Sequence, residues 1–124
     1  MKPKIAVVED NMDNRLLVQA ILEDQYEISE YENGKEVVDG LADNIPDLVL
    51  LDISLPGMDG VEVLEWVRSQ VRLKDLPVIA LTAHAMSGDR EKYLEMGFDE
   101  YVTKTIVDEE ALMGAIERLL ADST

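Results

Sequence analysis

Leu48-Val49-Leu50-Leu51 is an unbroken run of large apolar residues that ends in Asp52. The run is too short for a typical helix and lies between Pro46-Asp47 and a Pro56-Gly57 turn, so it reads as a β-strand buried on both faces. Two further runs share the pattern. Ile5-Ala6-Val7-Val8 ends in Glu9-Asp10, and Leu76 to Leu81 ends in Thr82.

Helical patterns fill the gaps between these runs. Asn11 to Asp24 is rich in helix formers, with Asp10, Asn11 or Asp13 available as its cap. Leu17, Val18, Ile21 and Leu22 share one arc at helical spacing and are expected to face a core, and Leu16 and Ala20 widen that arc. Tyr26 to Tyr31 alternates, with Tyr26, Ile28 and Glu30 on one face, which predicts an exposed edge strand. Asn33-Gly34 is expected to turn the chain, followed by a short helix from Lys35 to Leu41 with Val37, Val38 and Leu41 inward. Gly60 to Gln70 predicts a helix that buries Val61, Val63, Leu64 and Val67, with Trp66 near its edge, and Arg68 to Lys74 carries the basic residues of a loop. Ser87 is the cap expected for a helix from Gly88 to Met96, and Gly97 supplies its left-handed stop. Phe98 to Thr103 predicts a last short strand ending at Lys104. Asp108 then starts a helix through Leu120, with Glu109 and Glu110 at its positive end.

Strand and helix thus alternate five times, which predicts one α/β domain over residues 1–124 with a doubly wound parallel sheet, helices on both faces and right-handed crossovers. A hydrophobic content of 47% favours such a globule over disorder. The absence of cysteine excludes disulfides and thiolate chemistry, and the single His84 does not supply a conventional zinc cluster. A formal net charge of -16 repels nucleic acid phosphates and anionic lipid. No apolar stretch approaches membrane-spanning length, and the first one is too short for a signal-peptide core, so the chain reads as cytoplasmic.

Ligands of open α/β sheets bind outside the carboxyl ends of the strands. Here those ends carry Glu9-Asp10, Asp52, Thr82 and Lys104. Each has an ordinary reading on its own: Asp52 as a turn former, Thr82 as a helix cap, Lys104 as a solvated surface lysine. Together they point to more. Three acids near one point repel one another unless a cation joins them, and an oxygen-only ligand set suits Mg2+. A carboxylate beside Mg2+ can be a nucleophile whose covalent product is an aspartyl phosphate. Lys104 offers a point charge to the new phosphoryl group and Thr82 a hydroxyl hydrogen bond. The pattern predicts phosphoryl transfer to Asp52, with catalysis by positioning and charge neutralisation.

Four segments, Val8-Glu9-Asp10-Asn11, Leu51 to Gly60, Pro77 to Ala85 and Tyr101-Val102-Thr103-Lys104, occur in the order found in one family. The chain resembles the receiver domains of two-component response regulators along essentially its full length. That resemblance implies a flavodoxin-like five-stranded sheet of order 2-1-3-4-5 with five helices. It implies that Asp52 accepts phosphoryl from a phosphohistidine on a sensor histidine kinase or histidine phosphotransfer protein. Asp10, Asp52 and the Ser54 backbone carbonyl would ligate Mg2+, with Glu9 acting through a metal-bound water. Thr82 and Lys104 would hold phosphoryl oxygens, and Thr82 and Tyr101 would form the switch, with core packing as the plainer role of Tyr101. Ser54 and His84 occupy the positions that tune phosphate lifetime. His84 would do so as a solvent-facing residue shaping access of water, or as a general base. Leu16 and Ala20 then have a second reading, an apolar docking patch for the kinase.

The resemblance also carries the expected mode of action: self-catalysed phosphorylation and dephosphorylation without turnover of a separate substrate, and altered binding of a downstream protein target. The bounds of the chain suggest a stand-alone receiver, with excision from a hybrid kinase as the other source. Output would use the face of the last two helices and last strand, with no nucleic acid or membrane partner. Two rivals stand beside it. A degenerate receiver would bind partners without phosphorylation, and an aspartate-nucleophile phosphatase would need a second acid where Ser54 stands. The clearest departure from the family is Thr105 after Lys104, where proline is usual and the bond often cis. Without proline a cis bond costs about 2.5–4 kcal/mol, so either the bond is trans and Lys104 sits differently, or surrounding structure holds it. Glu9 in place of aspartate is a milder change, longer by one methylene.

Overall fold

A computed structural model describes residues 2–53, 57, 59–82, 89–103 and 109–122. Its strands are β1 (Lys4–Val8), β2 (Glu27–Tyr31), β3 (Leu48–Asp52), β4 (Val78–Thr82) and β5 (Glu100–Thr103). Its helices are α1 (Met12–Leu22), α2 (Gly34–Gly40), α3 (Gly60–Ser69), α4 (Asp89–Met96) and α5 (Glu109–Asp122), with a short 3-10 turn at Leu41–Asp43. All strand pairings are parallel and the order is β2-β1-β3-β4-β5. This is the flavodoxin-like arrangement expected.

The apolar runs explain the sheet. All five residues of β3 are buried. Val49 and Leu51 meet Ala6, Val8, Val78 and Ala80 on one face, under Val37, Val63, Leu64 and Val67 of α2 and α3. Leu48 and Leu50 meet Ile5, Val7, Ile79 and Leu81 on the other, under Val18 and Leu22 of α1 and Leu112, Ala115 and Ile116 of α5. Removing such aliphatic side chains from water is worth about 1.5–3 kcal/mol each, which drives both layers onto the central strands. β2 is an edge strand as expected, but its burial does not alternate: Glu27 and Glu30 are exposed, Ile28 and Ser29 half-buried and Tyr31 buried, because an edge strand is only partly covered.

Side-chain caps set where helices begin. Asn11 accepts the Asn14 N–H at 3.1 Å, Asn33 the Glu36 N–H at 2.9 Å and Asp59 the Glu62 N–H at 3.0 Å. The chain bends at Glu32-Asn33 as expected, but α2 already begins at Gly34, because the side-chain oxygen of Asn33 accepts a helix N–H. Gly97 has φ +118° and follows α4, as its sequence position suggests. Val38 is only half-buried, and Ser87 and Gly88 lie outside the described residues.

Two further expectations change. Leu17 does not face the core; it is 45% exposed and Leu16 54%. Arg15 takes the inward edge of α1 with Val18 and Leu22, which rotates the helix and turns Leu17 outward. Arg68 is not a loop cation. Its guanidinium donates to the carbonyl oxygens of Leu76 at 2.6 Å and Gly97 at 2.8 Å and pairs with Asp99 at 2.9 Å, tying the end of α3 to the starts of β4 and β5.

Candidate functional site

Parallel strands carry their C-terminal residues to one edge of the sheet, and the registers place those residues together. Val8 pairs with Leu51, so Glu9 comes opposite Asp52; Asp52 pairs with Leu81, so Thr82 lies one residue beyond it. One carboxylate oxygen each from Glu9, Asp10 and Asp52 lies within 4.8 Å of the others. Glu9 and Asp52 are each 1% exposed and Thr82 is 8% exposed, whereas Asp10 is exposed. The site is thus two buried acids under one wet acid, open to water on the Asp10 side.

Gathering like charges out of water is costly unless hydrogen bonds or a cation compensate. Among the described residues the donors are all carboxylate oxygens, and their spacing fits one hard divalent cation such as Mg2+. Local contacts steady the acids. The Glu9 N–H donates to the Tyr31 carbonyl at 3.0 Å, and the Asn14 side-chain amide donates to Glu9 Oε1 at 2.8 Å. The buried Arg15 guanidinium donates to the Glu9 carbonyl at 2.8 Å and the Asp10 carbonyl at 3.4 Å, and it pairs with Glu32 at 3.5 Å.

Gly60 closes the site from below. A Cβ there would lie 2.5 Å from the Asp52 carbonyl oxygen and 2.6 Å from the Ile53 Cα, so α3 approaches the end of β3 only because residue 60 has no side chain. Its N–H donates to the Ile53 carbonyl at 3.0 Å.

Tyr101 sits on β5, half-buried, with its ring stacked on Tyr93 of α4 at 5.7 Å and 13°. Tyr93 in turn meets Phe98 edge-on at 5.9 Å. Beside it Glu100 is buried and accepts hydrogen bonds from Arg90 of α4 and Arg118 of α5, and from the Tyr101 N–H at 3.1 Å. Sequence reasoning did not single out Asn14, Arg15, Tyr93 or Glu100. Gly60, by contrast, closes the segment Leu51 to Gly60 that carries the family resemblance. Lys104, Ser54, His84 and the Lys104-Thr105 bond lie outside the described residues; among those described, no peptide bond is cis.

The family model of the response regulator receiver domain matches residues 5–117. The chain belongs to that family. Among curated receiver relatives, the polar-differentiation response regulator DivK of Brucella anthropi is 39% identical over 107 residues, covering 86% of this chain and 87% of DivK. The sensor protein GacS of Pseudomonas syringae pv. syringae is 41% identical over 108 residues, 84% of this chain; the match spans only 12% of GacS. A putative response regulator from Chloroflexus aurantiacus superposes with a TM-score of 0.91 at 25% identity, covering 98% of this chain and 99% of the other. The receiver domain of a sensor histidine kinase from Pseudomonas aeruginosa PAO1 has a TM-score of 0.87 at 30% identity, covering 98% and 99%, and was solved with a magnesium ion coordinated in its active site cleft. No helix among the described residues is long and apolar enough to cross a membrane.

Proposed function

We propose that this receiver is a phosphoacceptor switch in which Asp52 takes a phosphoryl group from a phosphohistidine on a sensor histidine kinase or a histidine phosphotransfer protein. One observation carries the assignment: Asp52 ends a buried central strand with Glu9 and Asp10 within 4.8 Å and with Thr82 closing the neighbouring strand. An Asp52 carboxylate oxygen attacks phosphorus in line. The new O–P bond forms as the P–N bond breaks, the bonding pair passes to the imidazole nitrogen, and that nitrogen is neutralised by a proton from solvent. Asp10, Asp52 and the Ser54 carbonyl would hold Mg2+, with Glu9 reaching it through water. Mg2+, when bound, neutralises charge that gathers on the transferring group. Lys104 and Thr82 hold the phosphoryl oxygens afterwards.

The readout is a change of shape. Movement of Thr82 toward the phosphoryl group opens the place into which the Tyr101 ring turns, so one new charge biases a two-state element. The altered face is α4, β5 and α5, and it is read by a downstream protein rather than by nucleic acid or membrane. Ser54 and His84 set how readily water removes the phosphoryl group in the receiver's self-catalysed dephosphorylation. The whole chain, 1–124, forms one receiver domain acting in the cytoplasm. A binding-only domain has no use for three clustered carboxylates, two of them buried, which disfavours a degenerate receiver.

Intact-mass measurement after incubation with acetyl phosphate, or with a phosphohistidine donor, and Mg2+ tests the assignment. We expect the mass to rise by one phosphoryl group in wild type and not in a folded Asp52→Asn variant. No gain with either donor, or a labelled Asp52→Asn protein, overturns it.

A further inference from the structure

We infer that Asn14 is a positioning residue for the Glu9 carboxylate, holding it toward the cation site; this rests on the metal-site reading above. Glu9 has one more rotatable bond than an aspartate and is 1% exposed, so its headgroup needs a partner to stay in one place. The Asn14 amide is such a partner, donating to Glu9 Oε1 at 2.8 Å. That bond fixes one oxygen of a carboxylate that lies in the cluster with Asp10 and Asp52. Its polarised N–H also offsets part of the repulsion from Asp10 and Asp52.

Asn14 is itself fixed. Its backbone N–H donates to the Asn11 side chain at 3.1 Å, in the first turn of α1. Asn11 already caps that helix, so the Asn14 side chain does not serve as the cap. The next residue acts on the same turn of chain: Arg15 donates to the carbonyl oxygens of Glu9 and Asp10. Two adjacent residues of α1 therefore hold the acid pair, one through a side chain and one through the main chain. Asn14 is the complement of a glutamate at position 9, because a carboxylate shorter by one methylene is drawn back from the amide.

Calorimetric titration of the phosphoryl-free protein with Mg2+ tests this through a double-mutant cycle, without reading any reaction. We expect Asn14→Ala to weaken Mg2+ binding about tenfold, the low end of the effect of removing a group that orients a metal ligand. In a Glu9→Asp background the same substitution should change Kd less than about twofold. Asn14→Leu, close in size and without a donor, should repeat the Asn14→Ala loss, with circular dichroism confirming the fold. Equal losses in both backgrounds would mean that Asn14 only supports α1, and an unchanged Kd in folded Asn14→Leu would remove the role; either overturns the inference and leaves the metal site standing. Absence of Mg2+ binding by wild type would instead overturn the metal-site reading, and the inference with it.

Discussion

At Gly60 a single methyl group would collide with the backbone that carries Asp52. The clash is with main chain, 2.5 Å from the Asp52 carbonyl oxygen, so no side chain can move aside to relieve it. Gly57 differs; its φ of +76° requires glycine for conformation, with open space around it. We expect Gly60→Ala to cost about 1–3 kcal/mol, as overpacking does, and to slow phosphoryl uptake by displacing the end of β3. Urea unfolding and the acetyl phosphate rate check both; an unchanged rate would show that the end of β3 absorbs the shift. Two tyrosines carry a pH signature. Burial pushes the Tyr26 hydroxyl above the usual tyrosine range, with the nearby Glu117 carboxylate adding to it, and burial alone raises Tyr31. The fold disfavours their charged forms, so this stability is fully present below the unfolded value of about 10 and is lost as pH rises through the higher folded values. Chemical unfolding above pH ~10 should show a steeper decline in wild type than in Tyr26→Phe.

On the α4-β5-α5 face one carboxylate joins two helices. Glu100 accepts from Arg90 at 2.7 Å on one oxygen and from Arg118 on the other, while its side chain is 9% exposed and those of the arginines 58% and 60%. Because both cations remain largely in water, each bond is worth less than a buried pair. We expect Glu100→Gln to cost about 1–2 kcal/mol, with phosphorylation of Asp52 retained, since Glu100 opens β5 opposite Ile79, away from the strand ends that carry the acids and Thr82. Thermal unfolding and intact-mass labelling separate the two effects. The helices also mark where sequence reading stopped. Caps at Asn11 and Asp59 depend on residues three apart and were accessible locally. The rotation of α1 was not, because apolar spacing assigns arginine to solvent, while the Glu9 and Asp10 carbonyls draw Arg15 inward.

The whole molecule carries a net charge of -16, and among the described residues three of its acids, Glu9, Asp10 and Asp52, crowd into the site. Self-repulsion makes stability rise with ionic strength, and a cation that binds only the native state adds RT ln(1 + [L]/Kd), about 1.4 kcal/mol at ten times Kd. MgCl2 should therefore raise the melting temperature beyond ionic-strength-matched NaCl, and Asp52→Asn should lose that excess. A thermal melt series in the two salts decides this, and equal melting curves would count against a resident Mg2+ site. The sequence by itself determined the strands, their alternation with helices and the polar residues closing four of them. Short uninterrupted apolar runs report burial on two faces, and burial scales with local apolar area. Strand order came with the family resemblance. Only the tertiary structure decided that Glu9, Asp10 and Asp52 meet within 4.8 Å, that Asn14 and Arg15 hold the acids and that Glu100 joins two helices. Hydrogen bonds and ion pairs act over about 3 Å, so their partners are chosen by how helices rotate and dock, which no local pattern of residues records.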